Sequence, residues 1–146
     1  MTKQSDAQRG VQLKIKRSRE NVSSSTTFQD DNEFKFWLGA NESAAFEIKD
    51  LISAPSSGGF KQQFTVPSGA SGRYSTNQTG AGNADILITS SNAYTGALNV
   101  TVPTRTFGYV DNGSTAGYVT RQWAQAASNG TATYVERGSL MEVIRE

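Results

Sequence analysis

The sequence predicts an all-β protein, a single β-sandwich of jelly-roll type behind an extended N-terminal arm. Three observations lead there. Short runs alternate apolar and polar side chains with a period of two, clusters of Gly, Ser, Asn and Pro separate them at roughly ten-residue intervals, and no segment sustains a helical period behind a capping residue. A chain of 146 residues suits one domain with one core.

Residues 1–10, MTKQSDAQRG, are polar and read as a free arm, with the sandwich domain over 11–146. VQLKIKR (11–17) then alternates Val11, Leu13 and Ile15 against Gln12, Lys14 and Lys16, which predicts an amphipathic strand with one exposed basic face. EFKFWL (33–38) sets Phe34, Phe36 and Leu38 on one side, and SAAFEIKDLI (43–52) does the same with Phe46 and Ile48. The short GAN link at 39–41 makes 33–52 an expected hairpin. Further strands are predicted at 60–66, 84–90, 97–103, 105–110, 116–126, 131–137 and 139–145, divided by turn clusters such as PSGASG, NQTGAGN and DNGST.

Ser128-Asn129-Gly130 predicts a second hairpin, with Val119 and Trp123 opposite Thr131, Thr133 and Val135, and Trp123 pointing inward. In the strand at 139–145, Met141 and Val143 share one face, and Leu140 and Ile144 the other. The sandwich can cover one of these faces. The other, expected beside Tyr134, needs a neighbouring subunit, so Tyr134, Leu140 and Ile144 are the expected subunit interface.

Composition narrows the function. Fourteen Lys and Arg nearly cancel 13 Asp and Glu, so no field of one sign marks a nucleic acid or anionic membrane as a partner. The N-terminus has no apolar core of a secretory signal, and no run of 18 apolar residues could span a bilayer. With no Cys and no His, disulfides, thiolate nucleophiles, Ser-His-Asp triads and the usual zinc, haem and iron–sulfur sites are excluded. Carboxylate chemistry stays open.

Asp30, Asp31 and Glu33 form the densest acidic group and could bind calcium or act as an acid–base pair, but their spacing fits no EF-hand loop, and a solvated turn is expected. Asp85 reads as a strand-edge charge. TGAGN (79–83) lacks the Lys-Ser/Thr and the helix of a phosphate loop. Trp37, Tyr74, Tyr94, Tyr109, Tyr118 and Tyr134 offer either a stacking platform or core and rim packing, and packing is the expectation. Asn-X-Ser/Thr triplets, as at Asn21 and Asn129, are those that a chain rich in these residues forms in turns. No catalytic, cofactor or metal-binding residue is expected.

SSSTTFQDDNEFKFWLGANESAAFEI (23–48) and RQWAQAASNGTATYVERGSLMEV (121–143) resemble a set of small phage and prophage structural proteins. The shared pattern is Ser-Thr-Thr before an acidic run and an apolar strand, then Ala-Asn-Glu, and later Trp-Ala-Gln, Ser-Asn-Gly, Thr-Ala-Thr and Gly-Ser before an apolar strand. The likeness covers about a third of the chain. The chain departs from it in the basic KIKRSR and at Arg121, where an apolar residue is commoner.

The resemblance implies a virion structural protein, made in the host cytoplasm and placed on the capsid surface as a trimeric decoration or cement protein. A tail or fibre component with a receptor- or glycan-binding role is the alternative. Its implied partners are copies of itself and the major capsid protein, the latter expected to meet Arg9, Val11, Leu13 and Lys14. A glycan hydrolase would need two carboxylates across a cleft, whereas the acids here fall in expected turns and strand edges.

Overall fold

The computed structural model describes residues 10–77, 85–94, 96–98 and 103–146. Among them the chain is all-β, in thirteen strands and no helix: β1 (Gly10–Ile15), β2 (Glu20–Val22), β3 (Gln29–Leu38), β4 (Ser43–Asp50), β5 (Ile52–Ser53), β6 (Phe60–Thr65), β7 (Ser71–Asn77), β8 (Ile86–Leu87), β9 (Asn92–Tyr94), β10 (Thr104–Asp111), β11 (Gly117–Ala124), β12 (Thr133–Val135) and β13 (Leu140–Arg145). They form an antiparallel six-stranded sheet in the order β1-β13-β4-β10-β7-β8, a four-stranded sheet β3-β11-β6-β9, and a small sheet β2-β12-β5. The open edges rule out a closed barrel.

Alternation builds the core. Phe34, Phe36 and Leu38 of β3 and Val119 of β11 meet Ala44, Phe46 and Ile48 of β4, Val110 of β10, and Met141 and Val143 of β13 in one buried cluster between the two larger sheets. A second cluster joins Val22, Ile52 and Val135 of the small sheet to Phe60, Tyr94 and Trp123. Trp123 points inward as expected, with its ring stacked 5.9 Å from that of Phe60.

Neither expected hairpin forms. β3 and β4 lie in different sheets, so the Phe36 and Phe46 rings oppose each other at 6.0 Å across the core instead of standing side by side. The GAN link is a corner between sheets, with Asn41 at φ 61° and the Asn112 amide donating to the Gly39 and Thr115 carbonyls at 2.8 and 2.9 Å. β11 cannot pair with β12 because β3 and β6 already occupy both of its edges, and β12 pairs with β2 and β5. The Ser128-Asn129-Gly130 link is held by buried Gln125, which accepts from the Asn129 backbone N–H and donates to the Thr131 carbonyl.

Strand extents also differ from expectation. Among the described residues of the run at 84–90 only Ile86–Leu87 is a strand, and of the run at 97–103 the described part shows one bridge, Leu98 to Ala54. β7, SGRYSTN, lies between the expected turns PSGASG and NQTGAGN and overlaps their ends, where no strand was expected. Gly10 belongs to β1 rather than to the arm, whose remaining residues 1–9 lie outside the described residues, as do 79–83.

Gly59 turns the chain into β6 at φ 61°, where any Cβ would overlap the Tyr94 carbonyl oxygen. Gly59→Ala should therefore lower unfolding free energy by about 2 kcal/mol or more, as a fall in urea midpoint at unchanged m-value.

Candidate interaction surfaces

Sequence reasoning placed the acids at 30–33 in a solvated turn, and the structure corrects this. Asp31 and Glu33 lie within β3, at an irregularity where β11 advances from Thr120 to Gln122 while β3 advances from Lys35 to Asp30. Asp31 is buried, and its Oδ1 accepts the backbone N–H groups of Glu33 and Phe34, both at 3.0 Å. Those bonds satisfy backbone donors that the interrupted ladder leaves unpaired.

Lys16 is also buried, not on an exposed basic face. Its Nζ sits 2.8 Å from Glu20 Oε1, 2.8 Å from Asp31 Oδ1 and 3.2 Å from Glu33 Oε2. The three carboxylates converge closely enough to hold a metal ion, but the Lys16 ammonium occupies the point between them. Nearby, buried Arg121 grips Asp50 with both terminal nitrogens, at 2.8 and 2.5 Å, and donates from Nε to Gln62 at 3.0 Å. Its Nη1 lies 3.6 Å from Asp31 Oδ2, which links the two ion groups. Trp123 Nε1–H donates to Glu20 Oε2 at 3.1 Å.

Burial alone would lower the Lys16 pKa, but Asp31 and Glu20 outweigh it and hold the ammonium above the ordinary lysine value. Burial raises the Asp50 carboxyl, opposed by Arg121. Lys16, Asp31, Asp50 and Arg121 are sealed from solvent, so this cluster bears first on the fold.

The exposed features lie on the outer faces of the sheets. Val11, Leu13 and Ile15 do share one face of β1, but it is turned to solvent at 67%, 57% and 53% exposure. Cross-strand register extends this face: Val11 stands beside Ile144, then Ala45, Tyr109, Arg73 and Leu87 follow in one row across all six strands. Phe107 lies one row below, beside Glu47 and Ser75. Ala45, Phe107, Tyr109 and Ile144 line a shallow hollow of about 490 Å³, edged by Arg73 and Asp85.

The expected site residues are thus redistributed. Val11 and Leu13, placed against a capsid, and Leu140 and Ile144, placed against a sister subunit, belong to one continuous face. Lys14 points the other way, toward the Lys35 carbonyl of β3, and Arg9 lies outside the described residues. Tyr134 is not beside Leu140 and Ile144. It sits in the small sheet, paired with Asn21 and Ser53 under the Arg19 guanidinium. Phe107, Tyr109 and Leu87 were missed as surface residues. The signal was present in TRTFGYV (104–110), where Thr104, Thr106 and Val110 supply a buried side that leaves the aromatics outside.

The outer face of the four-stranded sheet is different in kind. Trp37 and Tyr118 are cross-strand partners, partly exposed, with rings 5.1 Å apart and nearly perpendicular. Lys35, Thr120 and Thr65 form the next row. Then comes a polar ladder, in which Gln63 Nε2 donates to Gln122 Oε1 at 2.6 Å and Gln122 Nε2 to Asp30 Oδ1 at 2.7 Å.

No family model matches the chain, and no curated protein matches it.

The buried Lys16 yields a stability and pH test. Lys16→Met leaves Glu20, Asp31 and Glu33 facing one another without their cation, which should cost about 3–5 kcal/mol at pH 7. The loss should appear as a lower urea midpoint at unchanged m-value. In the parent protein the raised Lys16 pKa sets the pH range of its contribution, which is complete below the ordinary value of 10.5 and declines only as pH rises beyond it.

Proposed function

We propose that this chain is a virion structural protein, a decoration or cement protein that coats the capsid as a homotrimer and works by adhesion to other protein. One observation carries the reading. The outer face of the six-stranded sheet exposes Val11, Leu13, Ile15, Leu87, Phe107, Tyr109 and Ile144. With about half of a ~150–200 Å² side chain exposed at each, these residues present on the order of 600 Å² of apolar surface. That is at the upper end of the ~300–600 Å² patch usual on a monomer and close to the ~800 Å² each partner gives to a standard interface. The resemblance at 23–48 and 121–143 supplies the virion setting, with the major capsid protein as the second partner.

We also propose that the fold is a jelly roll behind an N-terminal arm. Taking β1, β3, β4, β6, β9, β10, β11 and β13 as eight strands in chain order, the two larger sheets run first-eighth-third-sixth and second-seventh-fourth-fifth. This is the strand order of a jelly roll, with β7 and β8 extending the first sheet beyond β10. Residues 1–9 preceding β1 would supply the N-terminal arm.

Ile144 is the most informative position, because it is exposed and flanked by Val11 and Ala45. Burying such a side chain is worth roughly 1.5–3 kcal/mol, repeated at every copy of a symmetric interface. Ile144→Asp should give folded monomers, seen as an unchanged circular dichroism spectrum with one third of the parent mass by light scattering, and reduced occupancy on purified heads. A parent protein that is monomeric at micromolar concentration and binds heads one copy at a time would refute the trimer.

A further inference from the structure

The outer face of the four-stranded sheet is a second surface, on the side of the molecule away from the apolar one, and it is built for a different ligand. We propose that it binds a neutral oligosaccharide laid along the strands, with one ring of the perpendicular Trp37–Tyr118 pair packing on a sugar while the other braces it, and the Asp30–Gln122–Gln63 ladder hydrogen-bonding a sugar further along.

A pyranose presents two kinds of surface. One side of the ring carries a patch of C–H groups that packs on an aromatic face, and the rim carries hydroxyls that each donate and accept. Trp37 and Tyr118 supply aromatic surface on rigid strands rather than on a loop, and their edge-to-face contact fixes both rings before any ligand arrives. Lys35 Nζ lies 5.4 Å from the Tyr118 ring centroid and adds a donor at its border.

The ladder answers the hydroxyls. Each internal bond uses one amide hydrogen, so Gln63 and Gln122 each keep a second N–H, and Asp30 keeps its other oxygen, with no partner among the described residues. A side-chain chain oriented by its own hydrogen bonds offers donors and acceptors at fixed positions, as sugar recognition requires. The ladder lies two rows along from the aromatic pair, roughly 13 Å at two residues per row. That span calls for an oligosaccharide rather than a single sugar.

Charge decides against the other ligand that stacks on aromatics. A single-stranded nucleic acid needs a basic track beside its bases. Here Lys35 and Lys61 border the face while Asp30 stands within it, and the whole chain carries a net charge of only +1. The site lies on a different sheet from the assembly surface, so it stands or falls independently of the capsid reading.

The test uses the full chain on an array of linear hexose oligosaccharides and bacterial surface polysaccharides, with a 20-nucleotide single-stranded DNA in parallel. Hits are titrated by calorimetry and by tryptophan fluorescence, where Trp37 is the exposed reporter and Trp123 the buried one. The expected result is saturable binding of at least one glycan, weakened tenfold or more by Trp37→Ala and by Tyr118→Ala, weakened less by Trp37→Phe, and untouched by Ile144→Asp. Both aromatic side chains are partly exposed, so the variants are expected to retain the parent circular dichroism spectrum, and if one does not, Gln122→Ala, expected to weaken binding several-fold, takes its place. An array with no hit, a hit whose affinity survives the aromatic substitutions, or binding of the DNA alone would overturn the proposal.

Discussion

Lys16 and Arg121 hold this fold in register. Neither cation can reach water, so each must be matched inside, and the matching groups come from Glu20, Asp31, Glu33, Asp50 and Gln62 on five other positions spread over β2, β3, β4 and β6. A slip of one residue in any of these strands would turn a partner to the opposite face and strand a charge in the core. The ion group therefore specifies which strand faces which, beyond what apolar packing alone requires. It also explains the interruption of β3, since Asp31 binds a cation and two backbone N–H groups at the same oxygen.

Much of the secondary structure was legible from the residues. Alternation located β3, β4, β6, β10, β11 and β13, because each places large apolar side chains on one side only. Partnership was not legible. A two-residue period says which way side chains point but not which strand lies alongside, and both expected hairpins became crossings between sheets. β7 was invisible because Ser71, Gly72 and Arg73 carry no strand preference and only Tyr74 and Thr76 face inward.

Surface and interior were harder to tell apart than strand and turn. The apolar side of β1 faces solvent while its polar side carries Lys14 toward β3, an inversion of the usual rule that only the assembled sheets reveal. Asp31 and Lys16 looked like surface charges when taken singly. Arg121 did stand out, as a residue placed where an apolar one is commoner in the proteins that 121–143 resembles, and it proved to be the buried partner of Asp50. With one outer face apolar and the other polar and aromatic, the molecule has two chemically distinct sides on a single rigid scaffold.

The position of β13 has a bearing on how the chain reaches this state. It lies between β1 and β4, so residues 140–145 bridge two strands synthesised long before them. Until that strand inserts, β1 has no neighbour in its sheet and β4 has one bare edge. Closure of the sheet must therefore wait for contacts separated by almost the whole length of the sequence, and such distant pairings make folding slow. During that interval the exposed aliphatic side of β1 and the open edge of β4 are the places where a partly folded chain is most exposed to aggregation.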